Sequence, residues 1–513
     1  MTVYDVSSGA AALAYLGSGH RPPDALPAAD PARLPPVHKR YPTADRFSLP
    51  DGRSPGDSAS TRLSRLLRLT NGITRMRWMS GLMPLGLGSA GRARDRRILL
   101  SPGRTAAASG SRYPVEVYVA RAGAEDLPAG LFHYDPVHHQ LEGLRGGDGR
   151  ARVLAALPTP PDREPEAVLL LSSVLWRNSA KYGVFGYRLQ SLDVGAVVAQ
   201  AVAAAGPCGL AAEVNLDFDD AALDRILGLD PFAEGVFAMV TLYRQDAPPT
   251  AVLREPAAWT GPVPRAEPEL PAVTGIASMA EAAALHAAVR AAGPTHGGTL
   301  APWSPPAGSP SHALPPAGLD LADGFAGRRT VYGYRSGPVP EVSLAALLSA
   351  AAAALPVGGP GAGGVPPVLL AGVVQRVPGV ETGAHVYDPA GHALARTRGA
   401  EAVPAVIGAA KSPMLADECR SATATLAACG PLRAGVERHG DRWYRSQNIA
   451  AGALAQQIAL AAAAAGLESH VHCDFAPGPA GSALGLGPGG MEPLVVVTVG
   501  PGAPERTDPQ QPL

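Results

Sequence analysis

Cysteine is scarce: the 513-residue chain has four, Cys208, Cys419, Cys429 and Cys473. None belongs to a C-x-x-C pair, and no histidine stands at zinc-finger spacing around them. That leaves no sequence basis for a metal site, and none is expected. Scattered thiols read as small buried residues in a reducing compartment, so a cytoplasmic location is expected. The N-terminal "MTVYDVSSGAAALAYLG" lacks the basic start of a signal peptide. Apolar runs such as "SLAALLSAAAAAL" (343–355) are shorter than the roughly 20 residues that span a bilayer. Charged residues make up 17% of the chain and the formal net charge is −1. No bulk electrostatic reason remains to bind nucleic acid or an anionic membrane. P-loop, H-E-x-x-H, G-x-S-x-G and basic–aromatic RNA signatures are missing, and no G-x-G-x-x-G follows a strand. The acidic "DFDDAALD" (217–224) lacks calcium-loop spacing and reads as a helix start.

Glycine (60) and proline (53) are plentiful, which weakens any argument from a single one. An apolar content of 46% fits a globular protein, and the length exceeds one core. The chain repeats itself. Shifted by 257, residues 181–242 lie on 438–499 without a gap, with 20 identities in 62 positions. Tyr187, Arg188, Gln190, Gly195, Gln200 and Phe218 meet Tyr444, Arg445, Gln447, Gly452, Gln457 and Phe475. Upstream, at a shift of 253, "FHYDPVHHQL" (132–141) lies on "HVYDPAGHAL" (385–394). The chain is therefore read as a tandem duplication of one unit. Its organisation is an extended segment 1–58, a first copy 59–244, a Pro-rich linker with one helix 245–324, a second copy 325–500 and a tail 501–513. Within the first copy, periodicity predicts helices over 59–73, 192–210 and 219–229, with Asp219 or Asp220 as a cap. It predicts strands over 114–122, 166–175 and 235–244, and a hairpin over 130–144 turning at Asp135-Pro136. Mixed helices and strands imply one sheet per copy.

Two stretches could carry chemistry. "RTAAASGSRYP" (104–114) is a small-residue loop entering a strand, where backbone N–H groups can approach a flat ring or a phosphate. It reads equally as an ordinary tight strand entry. "KYGVFGYR" (181–188) sets Lys181 beside Tyr182. In a partly desolvated site Lys⁺ stabilises phenolate and burial drives lysine towards neutral, so either could act as a base near neutral pH. A solvated lysine beside a half-buried tyrosine is the plainer alternative. Gly183 and Gly186 could let a cofactor pass close.

"ASGSRYPVEVYV", "GLFHYDP", "KYGVFGYR", "AAAGPCGL" and "LGLD" occur in the order found in SagB-type (McbC-like) dehydrogenases. The chain resembles these FMN-dependent azoline oxidases of the nitroreductase-like superfamily, which act in thiazole/oxazole-modified peptide and thiopeptide biosynthesis. The resemblance is strongest over 59–244 and weaker over 325–500. It implies an α+β nitroreductase-like fold, a mainly antiparallel sheet flanked by helices, duplicated into a single-chain pseudo-dimer. It implies FMN as cofactor and Lys181 and Tyr182 as the catalytic pair. Arg104, Ser109, Gly110, Ser111, Arg112, Arg188 and Gln190 become candidate cofactor contacts. Arg188 reads also as a loop lock, because Arg445 persists in the second copy. Ala107 and Ala108 stand where the family usually has Pro-Ser, a mild departure if the contact is through the backbone.

The second copy departs further. Arg438-His439 replace the Lys-Tyr pair, and arginine is a poor base. "AGGVPPV" (362–368) replaces the serine- and arginine-bearing loop. One working FMN per chain is expected, with the first copy supplying the base and the second the facing wall. Implied partners are an azoline-bearing precursor peptide and the cyclodehydratase of the same pathway. A further homodimer is compatible with the sequence. Two other readings stay open: an NAD(P)H-dependent nitroreductase or flavin reductase, and a non-catalytic peptide-binding scaffold.

Overall fold

The computed structural model describes the chain apart from residues 1–7, 24–34, 52–55, 57, 80–98, 125, 162, 246–258, 260–261, 294–299, 301–302, 307, 357–364, 488–489, 504–509 and 513. Part of the Pro-rich stretch after 245, part of the N-terminal extended segment and the start of "AGGVPPV" lie outside the described residues.

Two seven-stranded sheets repeat one topology. In the first, the spatial order is Arg46–Ser48, Gln140–Gly146, Gly130–Asp135, Val115–Arg121, Ala167–Val174, Glu234–Arg244, Leu210–Asn215. In the second it is Ser311–Ala313, Ala393–Arg398, Gly383–Asp388, Leu369–Val374, Ala424–Gly430, Glu492–Gly500, Glu468–His472. Strand for strand the orders coincide, and every pairing is antiparallel. The expected α+β tandem pseudo-dimer is the observed fold.

Local chemistry sets the elements. Ser58 caps the helix Ala59–Asn71 by accepting from the Thr61 N–H. Asp135 turns its hairpin by accepting from the Val137 N–H at 2.9 Å. Asp219 caps Asp220–Leu227 through the Ala222 N–H at 3.0 Å. The central strands Ala167–Val174 and Glu234–Arg244 are buried almost end to end because helices cover them.

One prediction moves. The small-residue helix expected over 192–210 begins at Gly186 and runs to Ala205. A shorter helix, Leu175–Tyr182, precedes it, and Gly183 (φ +58°) breaks the two apart. The helical run Leu175–Cys208 has the length and hydropathy of a membrane span, yet 78% of its apolar window is buried inside the protein, so it is a core helix. Gly186 does not line the cavity between the copies. A Cβ there would lie 2.8 Å from the Ser179 backbone, so the glycine lets the helix corner close.

The core helix Gly186–Ala205 packs on its counterpart in the second copy, Asp441–Ala464, in the most extensive contact between elements of the chain. Gly195 and Gly452, paired by the repeat, sit at the crossing. A Cβ on Gly195 would lie 2.0 Å from the Ile449 carbonyl oxygen, and one on Gly452 would lie 2.1 Å from that of Leu192. Leu192 and Ile449 are themselves repeat partners, so the contact has pseudo-twofold symmetry. Arg188 donates to the carbonyls of His20 and Leu494. Arg445 ion-pairs with Asp220 and donates to the Val236 carbonyl. Each repeated arginine thus reaches the sheet of the other copy. Further exchange comes from Gln510–Pro512, which pairs with Ile73–Met79, and from Arg328, whose Nε donates to the Thr105 carbonyl at 2.8 Å.

Gly195→Ala should destabilise the chain by about 2–3 kcal/mol, because a backbone carbonyl cannot yield cheaply. Gly206→Ala, with no heavy atom within 4 Å of its Cβ, should change stability by no more than about 0.5 kcal/mol. Thermal and denaturant unfolding of both variants checks this. Equal behaviour would remove the crossing as the constraint.

Candidate active site

Between the copies lies a cavity of about 680 Å³, within the ordinary range of small-molecule and cofactor sites. The first copy contributes the loop 107–111, Lys181, Tyr182, Phe185 and Asp193. The second contributes Tyr332, Lys411, Gln456, His470, His472 and Asp474. Pro22 and Pro23 from the N-terminal segment close one edge, and Arg77 reaches the cavity from the strand Ile73–Met79.

The loop is held in an unusual backbone conformation. Gly110 has φ +57°, and Ser111 and Tyr113 also have positive φ. The glycine is required: a Cβ there would lie 2.3 Å from the Tyr182 hydroxyl and 2.7 Å from Lys181 Nζ. Both side-chain tips therefore converge over Gly110. Asp193, on the core helix, clamps the loop from behind. Its Oδ1 accepts from the Ser109 N–H at 2.9 Å and the Ser109 hydroxyl at 2.8 Å, and its Oδ2 accepts from Asn178 Nδ2 at 2.9 Å. From the other copy, Gln456 Oε1 accepts the Ala107 N–H at 3.1 Å, while its amide donates to Gln200 at 2.7 Å.

Electrostatics separate the two tips. Desolvation, and then the Arg112 guanidinium, hold the Lys181 ammonium below its usual pKa. Burial, and then the Asp193 carboxylate, push the Tyr182 phenol above its usual value. Of the two, only Lys181 shifts in the direction a base near neutral pH needs, while the shift of Tyr182 favours the protonated phenol. Burial pushes the Asp193 carboxyl up to about 7, against its hydrogen bonds from Asn178 and Ser109.

The structure brings Ser109, Gly110, Ser111, Lys181 and Tyr182 to one wall. Arg112 does not line it, although its charge reaches Lys181. Arg104, Arg188 and Gln190 do not line the cavity. Arg104 is buried, stacks on Tyr113 with 5.0 Å to the ring centroid and donates to the Val37 carbonyl at 3.1 Å. Arg188 joins the copies, and Gln190 donates to the Leu175 carbonyl at the helix corner. Each had a basic or amide group in a motif, but each spends it on buried backbone carbonyls. The residues that sequence reading missed are Arg77, Asp193, Lys411 and Gln456. Asp193 alone left a trace, as the single acid inside a small-residue helix.

Among the described residues the pseudo-symmetric position is partly occupied, while Ala450, the repeat partner of Asp193, lines a smaller cavity of about 370 Å³. Arg442 stands where the first copy has Phe185, and it reaches Asp217, Asp220 and the carbonyls of Leu216 and Phe218. Leu216 and Asp217 are the repeat partners of Cys473 and Asp474, which line the cavity. The Val214 N–H donates to the Pro356 carbonyl at 2.8 Å, so a chain segment covers the partner of cavity-lining Val471. Arg438 is exposed, and buried His439 stacks on Trp443 at 4.6 Å between ring centroids.

Residues 325–500 match the nitroreductase family model. The second copy is thus similar to the nitroreductase family, and the match falls on the copy where the resemblance is the weaker. The trifolitoxin-processing protein of Rhizobium leguminosarum bv. trifolii is 26% identical over 144 residues, which is 27% of this chain and 38% of that protein; the chain matches little more than a third of that relative's length. A nitroreductase-type protein of Anabaena variabilis superposes on 96% of this chain and 99% of its own, with a TM-score of 0.75 at 20% identity. Its full-length match is to the fold, both copies included. The E. coli microcin synthetase McbBCD complex with truncated pro-MccB17 bound aligns over 47% of this chain and 74% of its own, with a TM-score of 0.28 at 19% identity.

Asp193 gives this site a pH signature. Its carboxyl titrates higher in the folded chain than the roughly 3.9 of an unfolded aspartate. The folded state therefore binds the proton more tightly. This contribution to stability is complete below about pH 4 and is lost as pH rises towards 7. Asp193→Asn should flatten that part of the stability–pH curve, since Asn178, whose Oδ1 has no partner, can turn to accept the new amide. An unchanged curve in urea titrations from pH 4 to 8 would count against this role.

Proposed function

We propose that the chain is an FMN-dependent dehydrogenase that oxidises thiazoline or oxazoline rings of a modified peptide to thiazoles or oxazoles. The observation that carries the proposal is the meeting of a depressed lysine and a tyrosine hydroxyl over Gly110, at the wall of a cavity closed by the opposite copy.

FMN fits the residues present. Ala107, Ala108, Ala196, Gly452 and Ala455 line the cavity with small surfaces suited to a flat ring. Arg77 and Lys411 bring positive charge for a phosphate monoester. FMN, when bound, accepts the hydride equivalent, and oxygen can reoxidise it. Lys181 takes the proton from the ring α-carbon, so the azoline loses one proton and one hydride, and the ring becomes aromatic. Tyr182, kept protonated, donates a hydrogen bond that holds a substrate heteroatom in place. Because Arg442 and Pro356 occupy part of the pseudo-symmetric position, we propose one FMN per chain.

The match to a trifolitoxin-processing protein supports a modified-peptide substrate. The precursor peptide and a cyclodehydratase are the proposed partners, and the cytoplasm the proposed location. The match to the nitroreductase family model favours a second reading, NAD(P)H-dependent reduction of small molecules.

Purified protein should show an oxidised-flavin spectrum with about one FMN per chain. Lys181→Ala should keep the flavin and lower azole formation by about 10²–10⁴-fold, the usual range for a general base; Tyr182→Phe should keep the flavin and also lose azole formation. Arg438→Ala should change neither. The wild-type rate should rise with pH with a midpoint below the roughly 10.4 of free lysine, and this limb should vanish in Lys181→Ala. NAD(P)H consumption without azoline oxidation would select the second reading. Failure to bind FMN at all would leave the scaffold.

A further inference from the structure

The second copy carries a group of ligands with no counterpart in the first. His470 and His472 stand two apart on the strand Glu468–His472, so they share a face. Glu418 reaches them from the helix Pro413–Ser421. Its Oε1 lies 3.0 Å from His470 Nδ1 and its Oε2 lies 2.7 Å from His472 Nε2. All three ligand atoms fall within 4.8 Å of one another. A tetrahedral zinc with bonds of about 2.0 Å needs ligand atoms roughly 3.3 Å apart, so small side-chain movements suffice.

The surroundings are those of a supported site. His472 Nδ1, the nitrogen pointing away from Glu418, lies 3.3 Å from Asp474 Oδ1. A carboxylate behind a ligating histidine fixes its tautomer and raises its basicity. Asp474 in turn accepts from the Ser412 hydroxyl. The Thr498 hydroxyl donates to Glu418 Oε2 at 3.0 Å, and Tyr334 lies 2.8 Å from Thr498 Oγ1. Glu418 and His472 are buried, while both histidines face the cavity. A metal here would be held by three protein ligands and open on its fourth side to the cavity, the pattern of a reactive rather than a structural site. Two neutral imidazoles and two carboxylates, one ligating and one behind, balance a divalent charge.

In the first copy the repeat partners of His470 and His472 are Glu213 and Asn215. Glu213 pairs with Arg163 at 2.8 Å and Asn215 donates to Thr241 at 3.2 Å. The copy that lost the lysine–tyrosine pair is thus the one that gained the ligands. We infer that Glu418, His470 and His472 form a divalent transition-metal site, with Asp474 positioning His472, whose open coordination position faces the cavity shared with Lys181. The expectation of no metal rests on cysteine and histidine spacing, which does not take in Glu418, 52 residues from His470 in sequence.

The test is metal binding by the full-length protein. After chelator treatment and desalting, zinc is titrated while bound metal is counted by mass spectrometry. Flavin absorbance and thermal unfolding without metal are recorded in parallel. About one zinc per chain is expected. Glu418→Gln and His472→Ala should abolish stoichiometric binding, and Asp474→Asn should weaken it by about 10–100-fold. Should a variant misfold, the ligand-field spectrum of cobalt-substituted wild-type protein reports nitrogen and oxygen ligands directly. No stoichiometric metal in the wild type, or unaltered binding in both His470→Ala and His472→Ala, overturns the site. Zinc binding by a protein without FMN would sustain the site while removing the proposed dehydrogenase.

Discussion

The crossing of the two core helices at Gly195 and Gly452 is the constraint on which the rest of this structure depends. Backbone meets backbone there, with no room for a single Cβ on either side. Such an approach fixes the separation of the copies far more tightly than interdigitated side chains would, because packed interiors resist change of volume. The cavity, the cross-copy arginines and the exchanged strands are all built outward from this point. Gln456 can accept the Ala107 N–H only because its helix is held against the first copy at this distance.

Duplication in one chain then permits what a symmetric homodimer cannot do. Two identical subunits must make two identical sites. Here the halves have diverged, and the divergence is chemical. Where the first copy has Phe185, the second has Arg442, whose guanidinium is neutralised by Asp217 and Asp220. A buried ion pair of this kind is costly to break, since either partner left alone is an unpaired buried charge. Part of the second position is thereby taken up by a buried ion pair. The first stays open, with a lysine and an aspartate whose burial raises its pKa on one wall and a histidine–carboxylate group on the other.

Much of the fold was legible from the chain itself. Alternation placed the strands of the first copy, aspartate marked a helix cap, and the shift of 257 announced the second copy. Self-comparison works because core positions must keep their size when one packing is built twice. Membership of the site was less legible. Lys181, Tyr182 and the loop 109–111 stood out as motifs, but Arg104, Arg188 and Gln190 carried the same kinds of groups in the same stretches and are turned to buried carbonyls. A sequence reveals that an arginine is present; whether its fork meets a ligand or a backbone oxygen depends on which carbonyls the fold leaves unpaired nearby.

By itself, then, the sequence determined the repeat, the α+β pattern of each copy and the asymmetry of the lysine–tyrosine pair, since these follow from local periodicity and comparison along one chain. Only the tertiary structure decided which residues share the cavity. Asp193 and Ser109 are 84 residues apart, Gln456 and Ala107 are 349 apart, and Glu418 meets His470 and His472 across two different elements. It also decided the protonation preferences, because desolvation of Lys181, Tyr182 and Asp193 arises from atoms contributed by the whole fold rather than by sequence neighbours.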